Sequence, residues 1–235
     1  MVLYGTLINS ACIIAGGLLG LLFTNIPERI KETIIQAISL AILLIGFQMA
    51  FKTDAIIVVL LSLLFGAFIG ELVQLEAGIN RFGNWIESKF SSPGKEISIA
   101  QGFITSSLIF VVGAMAIVGA LDSGLRGDHE ILITKGVLDG FSALVFTTMM
   151  GYGVILAVVP VFLYEAGIAL LATQINKFVP EAFLDGLILQ LTGVGGLIIV
   201  AIGLNMLNIV KIRIGNLIPA LMTVIFIYYI YNMVT

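Results

Sequence analysis

The chain has 235 residues, 60% hydrophobic and only 11% charged, with a net charge of −3 from 11 basic and 14 acidic side chains. Eight membrane spans of about 20 residues each would use roughly 160 positions, leaving short connections and no room for a folded water-soluble domain. The charge balance excludes a nucleic-acid footprint and a strongly anionic surface, so the composition is that of a membrane protein.

Residues 1–27 contain no Asp, Glu, Lys or Arg. No positive charge precedes the first apolar segment and no small-residue cleavage pattern follows it, so a first mature span is expected over 3–24. A second is expected over 33–51 and a third over 55–75, whose inner end carries Glu71. Residues 76–96 read as an amphipathic surface connector. There Ile79, Phe82, Trp85 and Ile86 share one helical face, with Asn80, Arg81, Asn84, Glu87 and Lys89 elsewhere, and Ser91, Ser92, Pro93 and Gly94 end the helix. The fourth span is expected over 98–120. The run from Ile131 to Thr173 is too long for one helix, and Gly151 and Gly153 are the natural place to turn back. That gives spans over 131–149 and 153–174, followed by 186–208 and 214–233. The fold class is thus an all-α polytopic membrane protein of about eight transmembrane helices in a single membrane domain, 1–235.

Lys and Arg orient such a chain. Arg29, Lys31, Arg81, Lys89, Lys95, Lys211 and Arg213 collect on one side, against Lys52, Arg126, Lys135 and Lys177 on the other. The richer side is expected to face the cytoplasm, with both termini outside; a re-entrant segment within 113–140 would change that arithmetic.

An internal repeat is visible. Ile45-Gly46-Phe47-Gln48-Met49 in the second span resembles Ile202-Gly203-Leu204-Asn205-Met206 in the seventh. Pro27-Glu28 follows the first span as Pro180-Glu181 follows the sixth, and Ala15-Gly16 pairs with Ala166-Gly167 before them. Residues 1–75 and 151–235 then form two repeat units around a central hairpin, 97–150. Spans 1–3 correspond to 6–8, and an odd shift of five crossings inverts one copy relative to the other. Glycines at small-xxx-small spacing, Gly16 and Gly20, Gly66 and Gly70, and Gly136 and Gly140, are expected to seat close helix packing. Gly193, Gly195 and Gly196 are candidates to unwind the seventh span.

The polar residues inside the spans carry the functional reading. Lys135 and Asp139 stand four apart on the fifth span, where a mutual ion pair is available, and serve either as a solute or proton site or as a packed structural pair. Glu165, beside Tyr164 and after Pro160, is a second ionisable candidate. Asn9 with Ser10, Gln48, and Asn205 with Asn208 offer carbonyl and amide groups for a solute or for helix caps. The connection bearing Asp122, Arg126, Asp128 and His129 is expected to act as a gate, without the spacing of a calcium loop. With one His and one Cys, Cys12, no multi-histidine metal site or intrachain disulfide is expected. No metal or cofactor is therefore assigned. The chain also lacks a His-Glu-x-x-His helix and a plausible nucleophile dyad, so no enzyme activity is expected.

The stretch from Phe110 through Gly113, Gly119 and Asp122, continuing by Gly127-Asp128 to Lys135-Gly136-Val137-Leu138-Asp139-Gly140, resembles the YqgA/YdfK family of bacterial inner-membrane proteins. The opening Gly5-Thr6-Leu7-Ile8-Asn9 with Gly16-Gly17 is similar too. The resemblance implies a multispan protein of the bacterial cytoplasmic membrane in a family of unknown function usually described as transporters, and it brings no established substrate or site residues. The expectation is a secondary transporter or exchanger of a small polar, anionic solute, with proton or Na⁺ coupling and self-association as a homodimer. A channel, or a membrane scaffold or sensor that transports nothing, is the alternative.

Overall fold

Apolar runs in lipid must bond their own backbone N–H and C=O groups, and a helix does this within one segment. The computed structural model describes residues 2–22, 28–81, 99–112 and 114–234, and all regular structure among them is helical. In chain order these are α1 (Tyr4–Leu21), α2 (Glu28–Ala50), α3 (Ile56–Val73), α4 (Ile99–Val111), α5 (Ala114–Leu125), α6 (Glu130–Met150), α7 (Gly153–Leu156), α8 (Val158–Phe178), α9 (Glu181–Met206), a 3-10 turn (Ile214–Leu217) and α10 (Ala220–Val234). A short helical run, 75–81, follows α3 after Gln74, whose φ is 53°. Most of the expected surface connector, including Phe82, Trp85 and Ile86, lies outside the described residues, as does Pro27 of the repeat.

Among the described residues, six helical segments are long and apolar enough to cross a membrane: Tyr4–Leu21, Ile56–Val73, Glu130–Met150, Gly153–Ile175, Glu181–Met206 and Ile214–Val234. The expected fourth span is two helices, Ile99–Val111 and Met115–Leu125, bent by 58°, which make a seventh crossing if taken together. Within α2 the apolar stretch is shorter, Ile35–Ala50. Both α2 and α9 begin five residues before the apolar runs expected at 33 and 186, and Glu181 sits in the first turn of α9, where the positive end of the helix dipole favours it. Gly151, at φ 66°, ends α6 as expected: a side chain there would be strained in the left-handed region.

The chain divides into two compact units, and each draws helices from both ends of the sequence. One comprises residues 1–27 and 82–180, the other 28–81 and 181–235. The chain passes between the units three times, at Pro27–Glu28, Arg81–Phe82 and Pro180–Glu181, and the first and last of these are the same dipeptide.

In the first unit, α1 and α6 pack along a glycine seam. A Cβ at Gly5 would meet Leu132, one at Gly136 the Asn9 backbone, and one at Gly140 the Cys12 carbonyl. Beyond these, Gly16 abuts the Gly140 carbonyl oxygen and Gly20 that of Leu144. Both residue numbers rise together along the seam, so the two helices run parallel. The helix α5 lies on α8 where Gly124 meets Ala169 and Ala172, and Gly153 of α7 abuts Ile99 of α4.

In the second unit α2 packs on α9 and α3 on α10. Gly46 faces Gly196 and Val200, while Gly203 faces Ser39 and Leu43; Gly193, farther back along α9, faces Thr53. The numbers run in opposite senses, so these helices are antiparallel. Gly66 against Ala220 and Gly70 against Asn216 show the same sense for α3 and the segment leading into α10, where the Thr223 hydroxyl donates to the Ser62 carbonyl at 2.8 Å. The expectation that Gly193, Gly195 and Gly196 unwind the seventh span is corrected: α9 is continuous through them. Gly193 instead makes room for the Thr53 and Val59 side chains, and Gly196 lets the α2 backbone approach, since a Cβ there would overlap the start of the Ala50 peptide.

Candidate functional site

The i, i+4 spacing on α6 brings Lys135 and Asp139 together, and the Lys135 ammonium bonds the Asp139 carboxylate. Glu165 joins them from α8: Lys135 Nζ lies 3.3 Å from its Oε1. The Asn9 amide, arriving from α1, donates to the same Oε1 at 2.6 Å. Three helices therefore converge on one ammonium, two carboxylates and one amide. Asn9 and Glu165 are fully buried, and Lys135 and Asp139 are only 6% and 9% exposed. The glycine seam explains how α1 comes close enough, because Gly136, one residue after Lys135, meets the Asn9 backbone directly.

Around this cluster α1 offers a polar face. Thr6, Asn9 and Ser10 are buried at i, i+3 and i+4, and Thr6 Oγ1, Asn9 Oδ1 and Ser10 Oγ make no hydrogen bond among the described residues. The same holds for Glu165 Oε2, and for the hydroxyls of Ser106 and Ser107 on α4 and Thr147 on α6. A buried polar atom without a partner costs roughly 1–3 kcal/mol, so such a concentration in one unit is more than packing requires. Thr6, Ser106, Ser107 and Thr147 were not singled out from sequence. The available signal was polar residues spaced by one helical turn inside charge-free runs, which Thr6 and Ser10 satisfy.

The other candidates have local duties. Asn205 closes the turn after α9: its amide donates to the Ile212 carbonyl at 2.7 Å and its Oδ1 accepts from the Ile212 N–H at 2.8 Å. Gln48 is exposed on α2. In the expected gate, Arg126 pairs with Asp122 at 3.1 Å, and Asp128 accepts the Glu130 N–H at 3.0 Å to start α6. His129 Nδ1 lies 2.7 Å from the Ser123 hydroxyl, which is also 2.7 Å from the Val2 carbonyl. One hydroxyl proton serves one acceptor, so when Ser123 donates to Val2 the imidazole must supply the Nδ1 proton. The His129 ring also stands against Tyr4, with centroids 5.4 Å apart. These bonds tie the loop to the start of the chain.

A second polar cluster went unmarked in the sequence beyond the mention of Glu71. Glu71 pairs with Arg213 and accepts from Asn216 Nδ2 at 2.6 Å, while the Glu76 N–H donates to Asn216 Oδ1 at 2.8 Å. It fastens the end of α3 to the 3-10 turn.

Comparison with known proteins identifies the family. Residues 4–229 match the family described as a protein of unknown function, DUF554. The chain is 30% identical over 239 residues to the uncharacterized membrane protein YdfK of Bacillus subtilis (strain 168), covering 98% of this chain and 99% of that one. It is 31% identical over 223 residues to the uncharacterized protein YqgA of Escherichia coli (strain K12), covering 93% of each. No solved structure matches. The resemblance drawn from Phe110–Gly140 and from the opening Gly5–Asn9 with Gly16-Gly17 is thus carried by almost the whole length, and the chain belongs to the DUF554 family of membrane proteins.

Proposed function

We propose that the protein is a secondary carrier for a small polar solute in the bacterial cytoplasmic membrane, working by alternating access between two inverted copies of a three-span unit, without covalent chemistry. The observation that carries this reading is the reciprocity of the α2–α9 seam. A shift of 157 residues turns Gly46 into position 203, Leu43 into 200 and Ser39 into 196. Gly46 faces Gly196 and Val200, and Gly203 faces Ser39 and Leu43, so each contact has its mirror under one shift. That is the signature of a two-fold axis between the helices. Because α2 and α9 are antiparallel, the axis must stand perpendicular to them, which for membrane-spanning helices means in the membrane plane, the geometry of an inverted repeat. The Pro-Glu repeated at the first and last of the three crossing points between units supports the same pairing.

Eight crossings agree with the helix directions. Parallel α1 and α6 require an odd number of crossings between them; α2 and α3 supply two, so the 99–125 segment supplies the third. Its 58° bend suits a broken span better than a re-entrant hairpin, which must reverse direction. Both termini then share one side, which the Lys and Arg distribution assigns to the outside. Buried ionisable groups mark solute and ion pathways in membrane proteins, and Lys135, Asp139, Glu165 and Asn9 are this reading's site, with Lys135 as the group that an anionic moiety would engage. The gate role of the Asp122–His129 loop and self-association as a homodimer remain parts of the proposal.

Reconstitution into proteoliposomes tests it. Saturable uptake with counterflow of one solute against another, abolished by Asp139→Asn, is expected. Flux linear in driving force without exchange would establish a pore instead, and counterflow unaltered by Asp139→Asn would remove this site from the mechanism.

A further inference from the structure

The buried cluster is one positive charge short. Lys135 faces two carboxylates, Asp139 and Glu165, with 6%, 9% and 0% exposure respectively, and Asn9 contributes no charge. Its nitrogen donors already face the acids: Lys135 Nζ both of them, and Asn9 Nδ2 the Glu165 Oε1. The side-chain atoms of Thr6, Asn9, Ser10 and Glu165 left without a partner are all oxygens, and the hydroxyls among them can turn a lone pair toward a cation. Glu165 Oε2, Asn9 Oδ1 and, one helical turn away on α1, Thr6 Oγ1 make no hydrogen bond among the described residues, and all three residues are fully buried. Ser10 Oγ extends the same face. A fully desolvated carboxylate oxygen without a partner is among the costliest arrangements a protein can hold. Surplus oxygens with a deficit of one positive charge are the complement of a single monovalent cation.

We infer that Glu165 binds one exchangeable monovalent cation, a proton or a sodium ion, through Oε2, with Asn9 Oδ1 and the Thr6 and Ser10 hydroxyls completing its surroundings. Asp139 is excluded from this role by its geometry. It sits on the same helix as Lys135, four residues away, so that pair travels as a unit whatever the neighbouring helices do. Glu165 arrives on α8, and its charge is what Lys135 shares across helices. Neutralising Glu165 leaves Lys135 and Asp139 as a balanced pair and weakens the electrostatic tie between α8 and α6. Removing the cation restores it. Cation occupancy thereby sets how firmly α8 is held, which is the coupling a carrier needs; the inference rests on the carrier reading for its purpose and not for the site itself.

The test uses the purified full chain in detergent or nanodiscs, with sodium and pH as the probes. In the sodium arm, replacing choline by sodium at fixed pH raises Tm by about 3–6 °C when sodium stands about tenfold above its Kd. In the proton arm, a pH jump followed by infrared difference spectroscopy shows the C=O band of a protonated carboxyl. Either response supports the site if it is lost in Glu165→Gln and retained in Glu71→Gln, whose carboxylate pairs with Arg213 outside the cluster; which arm responds names the cation. Should Glu165→Gln not yield folded protein, Glu165→Asp must shift the sodium affinity or the band position. The inference is overturned if the wild type shows neither response, if a response survives Glu165→Gln, or if it moves in Asp139→Glu and not in Glu165→Asp. Counterflow in liposomes with no cation response rejects the cation site while sparing the carrier reading; a cation response at Glu165 with no solute flux supports the site and rejects the carrier.

Discussion

Two glycine seams hold this protein together, and they differ in what they bring into the bilayer. The α1–α6 seam is parallel and delivers Asn9, Lys135 and Asp139 to a buried site that Glu165 joins from α8. The α2–α9 seam is antiparallel and reciprocal, and it joins aliphatic and small side chains around Gly46, Gly196 and Gly203. In lipid no hydrophobic force drives helices together, so both rely on close backbone approach. Only the first also pays for desolvated charge. Packing alone needs no such outlay, as the second seam demonstrates, and this locates function at the charged one.

The comparison can be broken most forcefully at Lys135. Lys135→Met strands two buried carboxylates and should cost about 3–5 kcal/mol; adding Asp139→Asn and Glu165→Gln should restore much of it, measured as Tm of the purified protein. A triple variant no better than the single would mean that charge balance is not what holds the cluster. Next comes Gly16→Ala, whose Cβ overlaps the Gly140 carbonyl oxygen, a backbone atom that cannot swing aside. A loss near 3 kcal/mol, the upper end for overpacking, is expected in thermal unfolding.

Gly46→Ala and Gly203→Ala sharpen the other side. Their added Cβ atoms would come within 2.8 Å of Val200 and 2.7 Å of Leu43 respectively. Each should cost about 1–3 kcal/mol, and the two should resemble one another because they hold equivalent places; a silent member of the pair would show that the reciprocity has no energetic content. Asn205→Ala removes two bonds to Ile212 and should lower stability by about 1–2 kcal/mol while leaving flux intact, unlike Asn9. Smallest is Gly167→Ala: nothing lies within 4 Å of its added Cβ, so helix propensity should yield a gain of up to about 1 kcal/mol.

Much of this was legible before any coordinates. Long apolar runs delimit α1, α3 and α6 to within a few residues of 3–24, 55–75 and 131–149, since burial in lipid depends on composition more than on any partner. The Lys135–Asp139 pair followed from helical spacing alone. The bend between α4 and α5 did not, because Val112 and its neighbours look like any other small-residue stretch, whereas the Gly193–Gly196 stretch, which looked breakable, is packed by the Thr53 and Val59 side chains at Gly193 and by the α2 backbone at Gly196. Glycine's meaning in a helix depends on what stands opposite, and one strand of sequence does not contain that. Glu165 was visible as an acid in an apolar run; its depth and its partners are tertiary facts, set by how α8 meets α1 and α6.

The most direct measurement replaces the lone Cys12 by Ser, installs Ser10→Cys beside the charged cluster, and asks which face of the membrane a bulky, impermeant thiol reagent can reach it from. The account predicts modification from either face, with no passage of the reagent through the protein to the opposite side. A thiol that stays unreactive from both faces would mean a sealed structural core, and reagent crossing the membrane through the protein would mean an open pore; either result contradicts it.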